Sequence, residues 1–134
     1  MVREIIDAIS RAEDLTSGEI RVHIQSKCRG DVMQKALKTF RRLRMERTRE
    51  RNGVLIFVAL DSRKFAILGD RGIHECVGDA FWGKTRDIMG TYFTKGHIKE
   101  GVVAGVMSAG EQLKKFFPLK PGDVNELPDT VTES

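Results

Sequence analysis

The chain has 134 residues, 40% of them hydrophobic, and carries 23 Lys and Arg against 19 Asp and Glu, for a formal charge of +4 and a pI near 9.3. That length suits one domain with one core. Cys28 and Cys76 are too few for a disulfide framework and read as reduced thiols of a cytoplasmic protein; no stretch approaches the roughly 20 apolar residues of a membrane span, and the charged start of the chain lacks the apolar centre of an export signal.

Val2, Ile5, Ile6, Ile9 and Ala12 recur at helical spacing with Arg3, Glu4, Asp7 and Arg11 between them, which predicts an amphipathic helix ended by Thr16, Ser17 and Gly18. Residues 19–25 then alternate strictly, with Ile20, Val22 and Ile24 on one face and Arg21, His23 and Gln25 on the other. This pattern predicts a strand with one wetter face, near an edge of its sheet. A lone histidine there reads as a surface residue rather than a ligand or base.

After a turn at 27–30, Asp31 with Gln34 three residues on resembles a capping box and predicts a second helix, with Met33, Ala36, Leu37, Phe40 and Leu43 as its buried stripe. It is expected to run into the most basic stretch of the chain, where Arg41, Arg42, Arg44, Arg47, Arg49 and Arg51 face only Glu46 and Glu50. Clustered guanidinium groups can bind nucleic acid. With no aromatic residues interleaved to stack bases, the simpler reading is a solvated helix end that complements the macrodipole, aided by an Arg42 to Glu46 pair at i, i+4.

Residues 54–60 contain no polar side chain, a Val- and Ile-rich run that suits a strand buried on both faces, so helices are expected on both sides of the sheet. Residues 61–63 supply a turn, 64–68 a return strand, and 69–72 an abrupt stop whose glycines suggest positive φ. A right-handed crossover makes the first two strands parallel, and the return strand runs antiparallel to the second. Residues 73–78 read as a connector and Asp79 as the N-cap of a third helix, with Phe81, Trp82, Thr85, Ile88, Met89, Tyr92 and Phe93 on its inner face.

A fourth helix over 98–116 carries Val102, Gly105, Val106, Ala109 and Leu113 on one stripe. Gly101, Gly105 and Gly110 lower its propensity by roughly 1 kcal/mol each, which implies close packing; their spacing matches neither a Walker motif nor a dinucleotide fingerprint. Residues 119–134 read as an acidic tail, anchored by Val124, Leu127 and Val131 and disordered over its last few residues. The expected fold is α/β: a domain over 1–118 with a small mixed sheet, a β-α-β unit plus a β-hairpin, covered by about four helices.

The order of these elements, Asn52-Gly53-Val54-Leu55-Ile56 leading into the central strand, the return strand at 63–67, the glycine turn at 69–72, Asp79 opening the next helix, and Phe93 with Gly96 and Gly101 together resemble the TPM domain family over roughly residues 5–117. The resemblance implies a three-layer α/β/α sandwich. For function it implies weak acid phosphatase activity, calcium binding, or an accessory role in photosystem repair or beside membrane receptors. Exported members carry a signal peptide and often a C-terminal membrane helix, which this sequence lacks, while the NELPDTV stretch at 125–131 looks like that of soluble bacterial relatives; a cytoplasmic branch is expected. Where many members follow the glycine turn with Gly-Leu-Glu, this chain has Gly72-Ile73-His74, with the acid displaced to Glu75.

Because the return strand is antiparallel, its carboxyl end falls beside the amino ends of the other two, and Glu19, Asn52, Asp70, Glu75 and Asp79 are expected along one rim. Hard oxygen ligands gathered at loop ends suit Ca²⁺ or Mg²⁺. Asn52, Asp70, Glu75 and Asp79 are the candidate metal ligands, with no EF-hand loop among them. The structural alternative is that Asp70 serves the glycine turn, Asp79 caps a helix and Glu75 is solvated. One functional expectation is a divalent-cation-binding module for a protein partner. Another is a phosphomonoesterase with Asp70 or Asp79 as nucleophile or general acid and Arg71 on the phosphate, although Asp-x-Asp, Cys-x5-Arg and paired-histidine motifs are missing. Nucleic-acid binding by the arginine-rich helix end is the third.

Overall fold

The computed structural model describes residues 2–119 and 131–133. In chain order the elements are α1 (Val2–Glu13), β1 (Glu19–Gln25), α2 (Val32–Arg42), a 3-10 turn (Met45–Arg47), β2 (Gly53–Ala59), β3 (Lys64–Gly69), α3 (Arg71–Val77), a second 3-10 turn (Asp79–Trp82), α4 (Gly83–Thr94), α5 (Ile98–Lys114) and β4 (Val131–Glu133). The sheet has the order β3-β2-β1-β4. β1 and β2 are parallel, with Glu19 opposite Gly53, and β3 runs antiparallel to β2, with Gly69 opposite Val54. No described helix is long and apolar enough to cross a membrane.

The central apolar run behaves as its composition dictates: every residue of β2 is buried. On one face Ile20, Val22, Ile24, Val54, Ile56 and Val58 join Ile5 and Ile9 of α1, Met89 of α4 and Val102, Val106 and Leu113 of α5 in one cluster. On the other, Phe57, Ala59 and Ala66 pack with Ala36 of α2, and Leu55 with Phe40 and Met45. The result is the expected three-layer α/β/α sandwich. The glycines of α5 bring helices together, since a Cβ on Gly105 would lie 2.5 Å from Met89 Sδ and one on Gly110 2.8 Å from Ala12 Cβ.

Several local expectations change. Asp31 does cap α2, accepting from the Met33 amide at 2.9 Å, but the buried residues of that helix are Ala36, Thr39 and Phe40, and Met33 and Leu37 remain 41% and 37% exposed. The helix also stops at Arg42, because Arg44 takes a left-handed conformation at φ 58; Arg42 and Glu46 therefore do not share one helix. Residues 71–77 are helical rather than a connector, with Asp70 as their N-cap. The cap position before the turn at 79–82 is Gly78, at φ 75, and not Asp79. Tyr92 is 37% exposed instead of facing inward.

The acidic tail is corrected at its far end. Val131–Glu133 forms a parallel strand beside β1, with Thr132 opposite His23; the proposed anchors Val124 and Leu127 lie outside the described residues. Three residues rich in β-branched side chains complete an edge that β1 would otherwise leave open. β1 is therefore an interior strand, and the middle of its polar face is buried while Arg21 and Gln25 stay half-buried. His23 is fully buried, not a surface residue. It stacks on Phe57 at 5.5 Å, with Nδ1 2.8 Å from Thr132 Oγ1 and Nε2 3.0 Å from Gln25 Oε1.

The Gln25 carboxamide nitrogen donates to the Lys27 carbonyl at 2.6 Å, so its oxygen faces the ring and Nε2 carries the imidazole proton. Burial lowers the His23 pKa below its ordinary value, and the Arg42, Lys35 and Arg21 charges push the same way against the hydrogen bond that Nε2–H donates to Gln25. The folded pKa lies below the unfolded one, so this contribution to stability is present above about pH 6.5 and is lost as pH falls through the folded value. The expected result, read by ring proton chemical shift, is a His23 midpoint below 6.5 together with a falling protection factor of the Thr132 amide on acidification. A midpoint at or above the free-histidine value is incompatible with this burial.

Candidate functional site

β3 ends where β1 and β2 begin, and the backbone ties the three together: the Asp70 amide donates to the Gly53 carbonyl at 2.9 Å and the Glu19 amide to the Asn52 carbonyl at 3.4 Å. Asp70 is only 6% exposed. Its Oδ1 accepts from the Arg71 amide at 2.7 Å, which caps α3. Arg51 then grips both oxygens, Nε to Oδ2 at 2.8 Å and Nη2 to Oδ1 at 3.0 Å, a bidentate charge-assisted pair. That pairing raises the Arg51 pKa above its ordinary value and keeps the guanidinium charged.

Arg51 reaches Asp70 from a left-handed backbone conformation at φ 51, unusual for a residue with a side chain. Its carbonyl accepts from the Gly72 amide at 2.8 Å. Close approach, not positive φ, is why glycine is required at 72: a Cβ there would lie 2.1 Å from the Glu50 carbonyl oxygen and 2.7 Å from that of Arg51. Asn52 is buried. Its Nδ2 donates to Glu50 Oε2 at 3.1 Å and to Ser17 Oγ at 3.3 Å, and Ser17 donates to the same Glu50 oxygen at 2.9 Å.

The structure thus brings Asn52 and Asp70 to one rim. Glu75 stands on α3 with its side chain 69% exposed, 3.9 Å from Arg71 at i, i+4. Asp79 opens the 3-10 turn that follows Gly78, and its side chain lies outside the described residues. Among the described residues, no three His, Cys, Asp or Glu side chains converge to hold a metal ion. Among the described side chains, those of Asn52 and Asp70 are already engaged within the chain and Glu75 stands apart from them. Both Asp70 oxygens accept from the chain's own donors, the Asn52 NH₂ faces Glu50 and Ser17, and an ion at Asp70 would have to displace a guanidinium.

Instead the rim opens into a cleft of about 640 Å³ whose lining includes Arg41, Arg51, Arg71 and His74, with Glu46 and Asp70 as its acids and Leu37, Phe40 and Leu68 as its apolar wall. Sequence reading assigned Arg41 and Arg51 to a solvated helix end. The break at Arg44 and the left-handed turn at Arg51 fold that segment back against the start of β2, where Met45 packs on Leu55, which no helical periodicity could have shown.

Two variants separate the roles of Asp70. Asp70→Ala removes both the cap and the partner of Arg51 and is expected to cost about 2 kcal/mol in urea unfolding, whereas Asp70→Asn keeps a capping oxygen and costs less. Equal losses would assign the whole effect to the charge pair. Gly72→Ala is expected to lower stability by about 1–3 kcal/mol, because the obstructing atoms are backbone carbonyls that cannot swing away; an unchanged midpoint would rule out the close approach.

The family model described as the TPM domain matches residues 2–112. The NMR structure of the BA42 protein from the psychrophilic bacterium Bizionia argentinensis is similar at 44% identity and a TM-score of 0.93, covering 98% of this chain and 91% of that one. The solution NMR structure of the N-terminal domain of a P. gingivalis protein, 22% identical with a TM-score of 0.66 over 83% of this chain and 72% of that one, shares the fold. No curated protein matches. With the family match running from α1 into α5 and the same sandwich in a relative at 44% identity, the chain belongs to the TPM domain family.

Proposed function

We propose that this TPM domain is a protein-interaction module whose working surface is the rim cleft, and that the cleft takes an anionic group of its partner. One observation carries this reading: Arg41, Arg51, Arg71 and His74 line a single concavity. Arg51 is already oriented by Asp70, and that pair engages two of the guanidinium's five N–H donors, leaving three for another acceptor. Both cysteines carry free thiols, which suits a reducing compartment such as the cytoplasm.

A divalent-cation site at Asn52, Asp70, Glu75 and Asp79, with Ca²⁺ or Mg²⁺, is the second reading. It is favoured by the arrival of Asn52, Glu50 and Asp70 at one rim and by the family resemblance. It requires Arg51 to release Asp70. The phosphatase reading uses the same cleft, with Arg71 on the phosphate, but Asp70 as nucleophile would have to break the same pair. Nucleic-acid binding gains nothing from the cleft, whose lining includes Glu46 and Asp70.

Amide NMR titrations with inorganic phosphate, Ca²⁺ and Mg²⁺ in turn separate these readings. Saturable phosphate shifts at Arg51, Arg71 and His74, weakened in Arg71→Ala, are the expected outcome. Saturable Ca²⁺ or Mg²⁺ shifts at Asn52, Asp70 and Glu75 without a phosphate response would replace the anion reading with the cation one. Turnover of p-nitrophenyl phosphate that survives repurification and vanishes in Asp70→Ala would establish the enzyme.

A further inference from the structure

We propose that the groove along the free edge of β3 docks an extended acidic peptide of a partner protein, in which carboxylates alternate with apolar side chains. This rests on the anion-binding reading of the rim and names the partner that the surface fits.

The rim cleft continues into a second hollow of about 380 Å³, the two sharing Leu68, Gly69 and His74. Met33 and Leu37 of α2 lie along this groove with Leu68, and both are more than a third exposed. Large apolar side chains left open beside one another in a concavity mark a contact surface. Arg41 and Arg71 flank the first hollow, and Arg86 of α4 flanks the second. Among the described residues Arg41 and Arg86 form no salt bridge, and Arg71 meets Glu75 only at 3.9 Å with both side chains exposed, a weak pair.

The backbone supplies the third element. Among the described residues β3 is an edge strand. The bond from the Asp70 amide to the Gly53 carbonyl sets the antiparallel alternation, so Leu68 bonds toward β2 and the amide and carbonyl of Gly69 point away from it. Gly69 lines both hollows and is half-buried. An extended segment laid there can pair with the Gly69 backbone, press alternate apolar side chains onto Met33, Leu37 and Leu68, and present carboxylates to Arg41, Arg71 and Arg86. A nucleic-acid backbone fits less well: Glu46 and Asp70 interrupt the positive field, and the apolar floor would face phosphates. A second copy of the groove would set arginines against arginines.

Trp82 is the chain's only tryptophan and lines the second hollow, so its emission reports occupancy directly. The full chain is titrated with a short synthetic peptide in which glutamate alternates with leucine, and with the same peptide carrying lysine for glutamate. A saturable Trp82 shift is expected with the acidic peptide alone, falling with added salt and weakened roughly tenfold by Leu37→Glu and by Arg86→Glu. Both substituted side chains are solvent-accessible, and circular dichroism confirms that each variant folds. No saturable shift, or a shift indifferent to both substitutions, overturns the proposal. Phosphate shifts at Arg51 and Arg71 without peptide binding leave the anion-reading cleft standing and remove only the peptide, whereas failure of both titrations removes both.

Discussion

A strand with no exposed residue from Gly53 to Ala59 needs a helical layer against each face and a paired strand along each edge, because its side chains must leave water and its amides and carbonyls must all be bonded. β1 and β3 meet the second need, while α2 on one face and α1, α4 and α5 on the other meet the first. With both faces and both edges of β2 occupied, charged and polar groups gather at the strand ends, His23 against Phe57 being the exception. The antiparallel return of β3 then decides which ends coincide, placing Asp70 beside Gly53 and Asn52 beside Glu19.

Groups crowded at such a rim are half withdrawn from water, and each needs a partner. Asn52 finds Glu50 and Ser17; Asp70 finds Arg51 and the α3 backbone. The Arg51 to Asp70 pair also has a mechanical role. It ties the irregular segment after α2 to the start of α3, and the left-handed turn at Arg51 is held in place by that grip from one side and by the Gly72 amide from the other. A carboxylate in such a pair is poorly disposed to bind a cation, and the arginine is well disposed to bind an anion. By residue type alone Asp70 reads as a ligand; in the folded chain both its oxygens are engaged by Arg51, whose guanidinium it orients.

Features written in local chemistry were legible from sequence: the double-sided burial of β2, its hairpin with β3, the Asp31 cap and the parallel crossover from β1. Those that depended on distant partners were not. His23 alternates with apolar neighbours as a solvated residue would, and one of the partners that make its burial tenable, Thr132, is 109 positions away. β4 is three residues long, below the length at which periodicity carries a signal. Met33 and Leu37 fall on the expected apolar stripe of α2, but the helix rests on the sheet through Ala36, Thr39 and Phe40 and leaves them exposed. The rim itself was foreseeable from strand direction, whereas the arginine that occupies Asp70 was not, because a helix was expected to continue where Arg44 ends it.

The two outer edges of the sheet are treated differently, and the difference bears on what the protein can join. β1 is sealed within the chain by β4. Among the described residues β3 has no strand beyond it, and its flanks carry Lys64, Arg71 and Arg86, with Lys64 donating to the carbonyl of Gly30 at 2.9 Å. Positive charge beside an open edge discourages pairing with a second, equally charged copy. On the acidic-peptide reading proposed above, the same charges would lower the energy of an acidic strand brought to that edge. Met33 and Leu37 fit this logic: apolar exposure is tolerable on a surface where like-charged copies repel one another and an acidic segment does not.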